Sequence, residues 1–289
     1  MNVLVTGSTG FVGWRVVSQL LGAGHVPVGV LREAASERQG AASITMDLTE
    51  PGCAHTLLEG AQPDAVVNLA AVADIESCVV DPDRARRLNK QWPAELAAAC
   101  EALGIRLVHV STDQVFDGTH GAWTETDVVC PLHAYGATKA AGECAVLANS
   151  PTAAIVRPGL VTGEAHAGRR SATTQLLGAL EVAKAGGDGP VMFTDEIRSP
   201  IAVEDLARVL VDVCENDSLS GLFHAGGSEV LTRHALAVRE AQQHGFDEGL
   251  IRSGLRRSSN LADIRPADLS LDSGRLVAGL GWIPRAVVL

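Results

Sequence analysis

Short apolar runs rich in β-branched residues alternate along the chain with longer stretches in which apolar positions recur every three or four residues. Continuous short runs suit strands covered on both faces, and the longer period suits helices that bury one stripe. The strand-like runs are Asn2–Thr6, Val26–Leu31, Ser43–Met46, Ala65–Leu69, Arg106–Val110 and Ala153–Arg157. The clearest helical stretches are Phe11–Leu21, Pro93–Leu103 and Ala134–Ala148, and the second opens on a proline, which a first turn accepts. This alternation predicts an α/β protein with a doubly wound parallel sheet. After Arg157 the rhythm loosens into glycine-rich and charged segments, resumes at Val203–Cys214 and Gly221–Ala225, and loosens again. We expect one domain over residues 1–160, to which the chain returns at about 200–225, and a smaller lobe over 161–289. No linker rich in proline and serine divides them, so the two should share one cleft beyond the carboxyl ends of the strands.

The connection from the first strand to the first helix reads VTGSTGFVG and carries Gly7, Gly10 and Gly13. A turn that binds a pyrophosphate has to be tight, has to expose its backbone to the anion, and has to let the helix pack near the strand. The spacing is GxxGxxG rather than GxGxxG, and it takes its weight from its place at the first strand. A dinucleotide on a Rossmann fold is the expectation, with Gly7, Thr9, Gly10, Phe11, Val12 and Gly13 against it. At the end of the second strand an acidic side chain takes a ribose 2′-hydroxyl, whereas arginine accommodates a 2′-phosphate. The sequence there reads VGVLRE, so Arg32 favours NADP, while Glu33 leaves NAD open. Asp47 and Leu48, after the third strand, either lie along the adenine or begin a helix with Thr49 as cap and Pro51 in its first turn.

The single tyrosine, Tyr135, stands four residues before Lys139 in a predicted helix, so the two side chains share one face. A phenol near pKa 10 is a weak acid at neutral pH, and a neighbouring ammonium lowers it, which suits a general acid or base. Such a pair is also common on helix surfaces. Here the preceding strand ends HVSTDQVFDG, which sets the hydroxyls of Ser111 and Thr112 at the carboxyl edge of a nucleotide-binding sheet. His109 and His224 read as buried structural residues, and RRSSN, from Arg256, reads as a solvated loop.

Composition narrows the partners. A chain of 289 residues that is 46% hydrophobic buries one large core or a core plus a lobe, and with aromatics at only 3% it must fill that core with Leu, Val and Ala. The net charge of −11 and pI near 5.2 oppose binding to nucleic acid or an anionic membrane. No window approaches the roughly 18 uncharged apolar residues of a membrane span. Six cysteines lack the close pairing of a zinc knuckle or a CxxC, so no metal is expected and they read as reduced, mostly buried thiols. The first residues enter a strand directly, without a basic segment or cleavage site, which predicts a cytoplasmic protein.

In chain order, TGSTGFVG, NLAA, STDQVFDG, YGATK and RPGLVTG together resemble the extended short-chain dehydrogenase/reductase superfamily over nearly the whole chain. With ADIESC and RLN, the STDQVFDG segment is most similar to the dTDP-4-dehydrorhamnose reductase branch and its relative, the regulatory β subunit of methionine adenosyltransferase. The resemblance implies a catalytic triad of Thr112, Tyr135 and Lys139. Tyr135 would protonate a carbonyl oxygen, Lys139 would lower the phenol's pKa and hold the nicotinamide ribose, and Thr112 would hydrogen-bond the substrate. It also implies that Asn68, Leu69, Ala70, Ala71 and Pro158 line the cofactor and that Asn89 supports the site. Asp113 and Gln114 would meet the substrate, and Arg198 and Arg265 would hold a nucleotide diphosphate, a task suited to the planar guanidinium. Two departures stand out. Gln114 replaces the tyrosine usual in the reductase branch, and it also replaces the glutamate of the acid/base pair in sugar-nucleotide dehydratases; an amide cannot shuttle a proton as a carboxylate does. DEIRSPIAVEDLA resembles epimerase-like members. The expected function is an NADP-dependent reductase acting on a nucleotide-linked 4-keto sugar, with a homodimer as a possible assembly. An NAD-dependent sugar-nucleotide epimerase and a non-catalytic NADP-binding regulatory subunit are the alternatives.

Overall fold

The computed structural model describes residues 1–33, 40–166 and 168–287. Seven strands form its main sheet: β1 Asn2–Thr6, β2 Val26–Leu31, β3 Ala42–Thr45, β4 Ala65–Asn68, β5 Arg106–Val110, β6 Ala154–Pro158 and β7 Gly221–Ala225. They run parallel in the order β7-β6-β5-β4-β1-β2-β3. The chain therefore winds from β1 to one edge and from β4 to the other, which opens a crevice at the carboxyl ends of β1 and β4.

Period-2 alternation explains why these strands read as unbroken apolar runs. Val3 and Val5 face one side, where they join Val16 and Leu20 of helix Phe11–Gly22 and Leu206 and Leu210 of helix Val203–Glu215. Leu4 faces the other, with Leu57 of helix Cys53–Ala61 and with Trp92 and Leu96 of helix Trp92–Leu103. With both faces covered, successive side chains are mostly buried and mostly apolar, with Thr6, Asn68, His109, Arg157 and His224 as buried polar exceptions. Helices Ala172–Lys184 and Arg233–Gln243 close a smaller core through Leu176, Leu180, Ala237 and Ala241, joined by Ile251 from the segment that follows. Three short strands, Leu231–Thr232, Ile197–Arg198 and Asp268–Leu269, pair beside it.

Several local expectations change. The third strand lies one residue earlier than predicted. No helix starts at Thr49: the Asp47 carboxylate takes the Thr49 amide at 2.9 Å and its hydroxyl at 2.7 Å, a local turn that competes with helix formation. The helix begins instead at Cys53, after Gly52 in a left-handed conformation. Ahead of the helix predicted at Pro93 runs a π turn, Arg87–Gln91. It carries Asn89 inward, where its NH2 donates to Val72 O and Thr138 Oγ1, both at 3.0 Å, while its oxygen accepts the Val72 amide. All six cysteines are free thiols, but only Cys78, Cys100 and Cys214 are buried; Cys130 and Cys144 are exposed. His109 and His224 are both buried.

Candidate active site

A cleft of about 860 Å³ runs along the carboxyl edge of the sheet. At one end Gly7 takes a left-handed φ of 64°. A Cβ on Gly13 would lie 2.8 Å from the Gly7 carbonyl carbon and closer still to its oxygen, so turn and helix meet at a distance no side chain permits. Gly10 caps helix Phe11–Gly22 without a side-chain bond, and the first turn holds no acidic residue. The N-terminal amides and dipole are left for an anion. Thr9, Phe11 and Val12 line this end, as do Arg32, Asp47, Leu48, Leu69, Ala70 and Ala71. Thr6 Oγ1 accepts the Leu69 and Ala70 amides at 3.1 Å each, which ties the exit of β4 to the glycine turn. Arg32 is exposed and pairs with Glu33 at 3.1 Å. The Thr49 amide and hydroxyl hold the Asp47 carboxyl below its ordinary value, and the charges of Arg32 and Arg84 act in the same direction.

Thr112, Asp113, Gln114, Tyr135, Lys139 and Pro158 line the other end. Glycine at 136 lets the helix Ala134–Asn149 lie directly on the Thr112 loop, since a Cβ there would overlap the Gln114 carbonyl oxygen. His133 caps this helix, its Nδ1 accepting the Gly136 amide at 3.1 Å, so Nε2–H is left to donate to Gln114 Oε1 at 3.0 Å. One ring thereby sets both the helix start and the Gln114 amide. Histidine is not a common cap, and nothing in the sequence marked it.

Thr112 Oγ1 accepts the Gln114 amide at 3.2 Å and donates to Asp113 at 3.3 Å. The second Asp113 oxygen is buried without a partner. Burial pushes this carboxyl up to about 6, against the opposing charge of Arg198 and the bonds from Thr112 and Gln114. The Tyr135 phenol is pushed up to about 12, chiefly by burial; the hydrogen bond with Thr112 opposes this, and the charges of Asp113 and Cys78 add to it. The expectation that Lys139 depresses the phenol is thus not met. The lysine amine donates instead to Val110 O at 2.6 Å, and burial lowers it to about 8 although the Glu143 carboxylate favours its charge. Glu143, one turn further along the same helix, is held by Arg157 at 2.9 and 2.6 Å and by the Ser111 hydroxyl.

A comparison with known families bears on this arrangement, because the profile of the RmlD substrate binding domain matches residues 1–286. The chain belongs to that family. Relatives of this RmlD-family chain include the probable low-salt glycan biosynthesis reductase Agl14 of Haloferax volcanii, 32% identical over 97% of this chain and 93% of the relative. Methionine adenosyltransferase 2 subunit beta of Rattus norvegicus is 30% identical over 97% of this chain and 83% of its own length. The crystal structure of dTDP-4-dehydrorhamnose reductase from Bacillus anthracis in complex with NADP shares the fold, with a TM-score of 0.82 at 20% identity over 98% of this chain and 95% of that one.

Two site candidates of the RmlD-family chain do not line the cleft. Arg198 and Arg265 both converge on Glu196, at 2.9 Å from Arg198 and at 3.0 and 3.1 Å from Arg265, with Arg233 at 3.9 Å. Glu196 is buried, and a buried carboxylate requires cationic partners, so it draws the guanidinium groups to itself. Arg84, Arg169 and Arg170 line the cleft instead. None was singled out in the sequence, where an isolated arginine looks like any surface charge. Among the described residues no helix is long and apolar enough to cross a membrane.

Proposed function

We propose that this RmlD-family protein is an NADP-dependent reductase that delivers hydride to a ketone on a nucleotide-linked 4-keto sugar. The observation that carries the reading is that one cleft joins an uncapped helix N-terminus to Thr112, Tyr135 and Lys139. The donor set fits a dinucleotide. Gly7, Gly10 and Gly13 leave room for a pyrophosphate against backbone amides, Arg32 stands where a 2′-phosphate would be reached, and Leu69, Ala70 and Pro158 supply apolar walls. NADPH, when bound, supplies the hydride.

The chain's own residues handle the proton. Reduction of a ketone leaves an alkoxide, a stronger base than phenolate, so a phenol of pKa about 12 holds its proton at neutral pH and gives it up only to that oxygen. Thr112, which accepts the Gln114 amide, turns its one hydroxyl hydrogen from the long 3.3 Å contact with Asp113 to the same oxygen, and Lys139, with a pKa of about 8, is near enough to neutrality to restore the proton afterwards. An acid of this kind favours the reductive direction over an epimerase cycle, which also needs a base. Dehydration by an Asp–Glu pair is disfavoured because Gln114 carries no exchangeable carboxyl proton. Free thiols throughout are what a reducing compartment favours, which supports a cytoplasmic location. A cofactor-binding subunit of a larger assembly is the second reading, supported by the likeness to methionine adenosyltransferase 2 subunit beta.

The test is a panel of nucleotide-linked keto sugars with NADPH, read by loss of nicotinamide absorbance. Tyr135→Phe should bind NADPH within about twofold of the wild type while turnover falls by roughly 10²- to 10⁴-fold, the usual contribution of general acid catalysis. Wild-type turnover in that variant would overturn the reading and favour the subunit role.

A further inference from the structure

We propose that His109, fixed in one tautomer by Asn68, positions Lys139 by turning an N–H toward its amine. The inference rests on Lys139 belonging to the active site as proposed above. It begins with Trp92, whose indole N–H only donates; the Asn68 atom 3.0 Å from Nε1 must therefore be oxygen. The Thr6 hydroxyl, which accepts the Leu69 and Ala70 amides, gives its own hydrogen to the same oxygen at 2.6 Å. The remaining Asn68 group is then the NH2, and it stands 2.9 Å from His109 Nδ1. An amide NH2 only donates, so Nδ1 presents a lone pair and the ring proton sits on Nε2. Nε2 faces Lys139 Nζ at 3.5 Å.

A second proton on the ring would meet the Asn68 NH2 head-on, and burial and the lysine charge also oppose it. His109 is therefore neutral, with its one N–H aimed at the lysine. An ammonium offers only hydrogens in return, whereas a neutral amine offers a lone pair, so this geometry favours the neutral amine. Other groups around Lys139 act differently. Glu143 on its own helix favours the ammonium but is shared with Arg157 from β6 and Ser111 after β5. The Val110 carbonyl accepts from the amine in either state, and Tyr135 is neutral at physiological pH, while the Asp113 charge acts on the phenol. Asn68, His109 and Lys139 are all buried, and although Lys139 borders the cleft, the Asn68–His109 contact that sets the tautomer lies behind it in the sheet. The chain of contacts starts at Thr6, the residue before the glycine turn, and ends at the lysine, which links the two halves of the cleft.

The protein has only three lysines, Lys90, Lys139 and Lys184, so NMR of protein carrying 13C at lysine Cε resolves them, with Lys139→Met used for assignment. Histidine 15N shifts report which ring nitrogen holds the proton. The wild type should keep the His109 proton on Nε2 from about pH 6 to about pH 9, while Lys139 titrates near 8. Asn68→Leu removes the NH2 without adding charge. Nδ1 is then free to take the proton, Nε2 becomes an acceptor for the ammonium, and the Lys139 midpoint should rise by about one unit, a tenfold gain in proton affinity. Asn68→Asp accepts from Nδ1–H and should produce the same tautomer change, which covers the case in which the leucine variant does not fold. A wild-type His109 protonated on Nδ1, or on both nitrogens near its ordinary value, overturns the proposal whatever the variants do. So does a folded variant in which the tautomer stays on Nε2 or the lysine midpoint does not move. These signals do not depend on turnover, so the reductase reading and the histidine role fail separately.

Discussion

Asp113→Asn isolates one ionisation that opposes folding. One carboxylate oxygen accepts from Thr112 at 3.3 Å, and the other is buried with no partner. Burial raises the carboxyl from its ordinary 3.8 to about 6 in the folded protein, while the unfolded chain titrates at its ordinary value. Between those two pH values the folded state holds more protons than the unfolded one, so stability falls as pH rises. About two pH units separate the values, and each is worth about 1.4 kcal/mol, so the ionised group costs the fold about 3 kcal/mol above about pH 6 and almost nothing below about pH 4. Asparagine keeps the shape and removes the titration. Urea unfolding of both proteins from about pH 4 to about pH 8 gives the difference in stability at each pH. That difference should shift in favour of the variant by about 3 kcal/mol across the range, on top of any constant offset from an unpaired amide N–H. A flat difference, or one that moves toward the wild type, would refute the reasoning.

Gly13→Ala forces a Cβ onto the Gly7 carbonyl; it should destabilise the fold by about 1–3 kcal/mol and weaken NADPH binding at least tenfold by calorimetry, since the turn and the helix amides must separate. Unchanged NADPH affinity would place the pyrophosphate elsewhere. Arg157→Ala leaves Glu143 buried without its cation and should cost about 3–5 kcal/mol in chemical unfolding, with a loss below about 1 kcal/mol counting against a buried pair. Arg32→Ala should remove roughly 1.5–3 kcal/mol of the preference for NADPH over NADH while leaving NADH affinity unchanged. Equal wild-type affinity for both cofactors contradicts that assignment.

The order of elements and the cleft's two ends were legible because they depend on short-range rules. A strand buried on both faces reads as an apolar run, a helix as a three-to-four repeat, and a strand-to-helix turn that must admit an anion as spaced glycines. Tyr135 and Lys139 shared a face by helical spacing alone. The residues Thr112 to Gln114 followed a strand whose end had to meet that helix. Local chemistry already misled at Asp47, where a carboxylate that closes its own turn and one that starts a helix look alike in sequence.

What the packing decided was partnership and charge. Arg198 and Arg265 turned to Glu196, and Arg265 is 69 residues away from it, a pairing that no periodicity encodes. The phenol rises rather than falls because burial outweighs the Thr112 hydrogen bond while the lysine amine donates to the Val110 carbonyl, and desolvation depends on every residue stacked around a group. The tautomer of His109 needs Thr6, Asn68 and Trp92, from three separate segments, to meet at one buried point. Spacing acts over a few residues. Proton affinity is set by what surrounds a group in space, and only the folded chain supplies those surroundings.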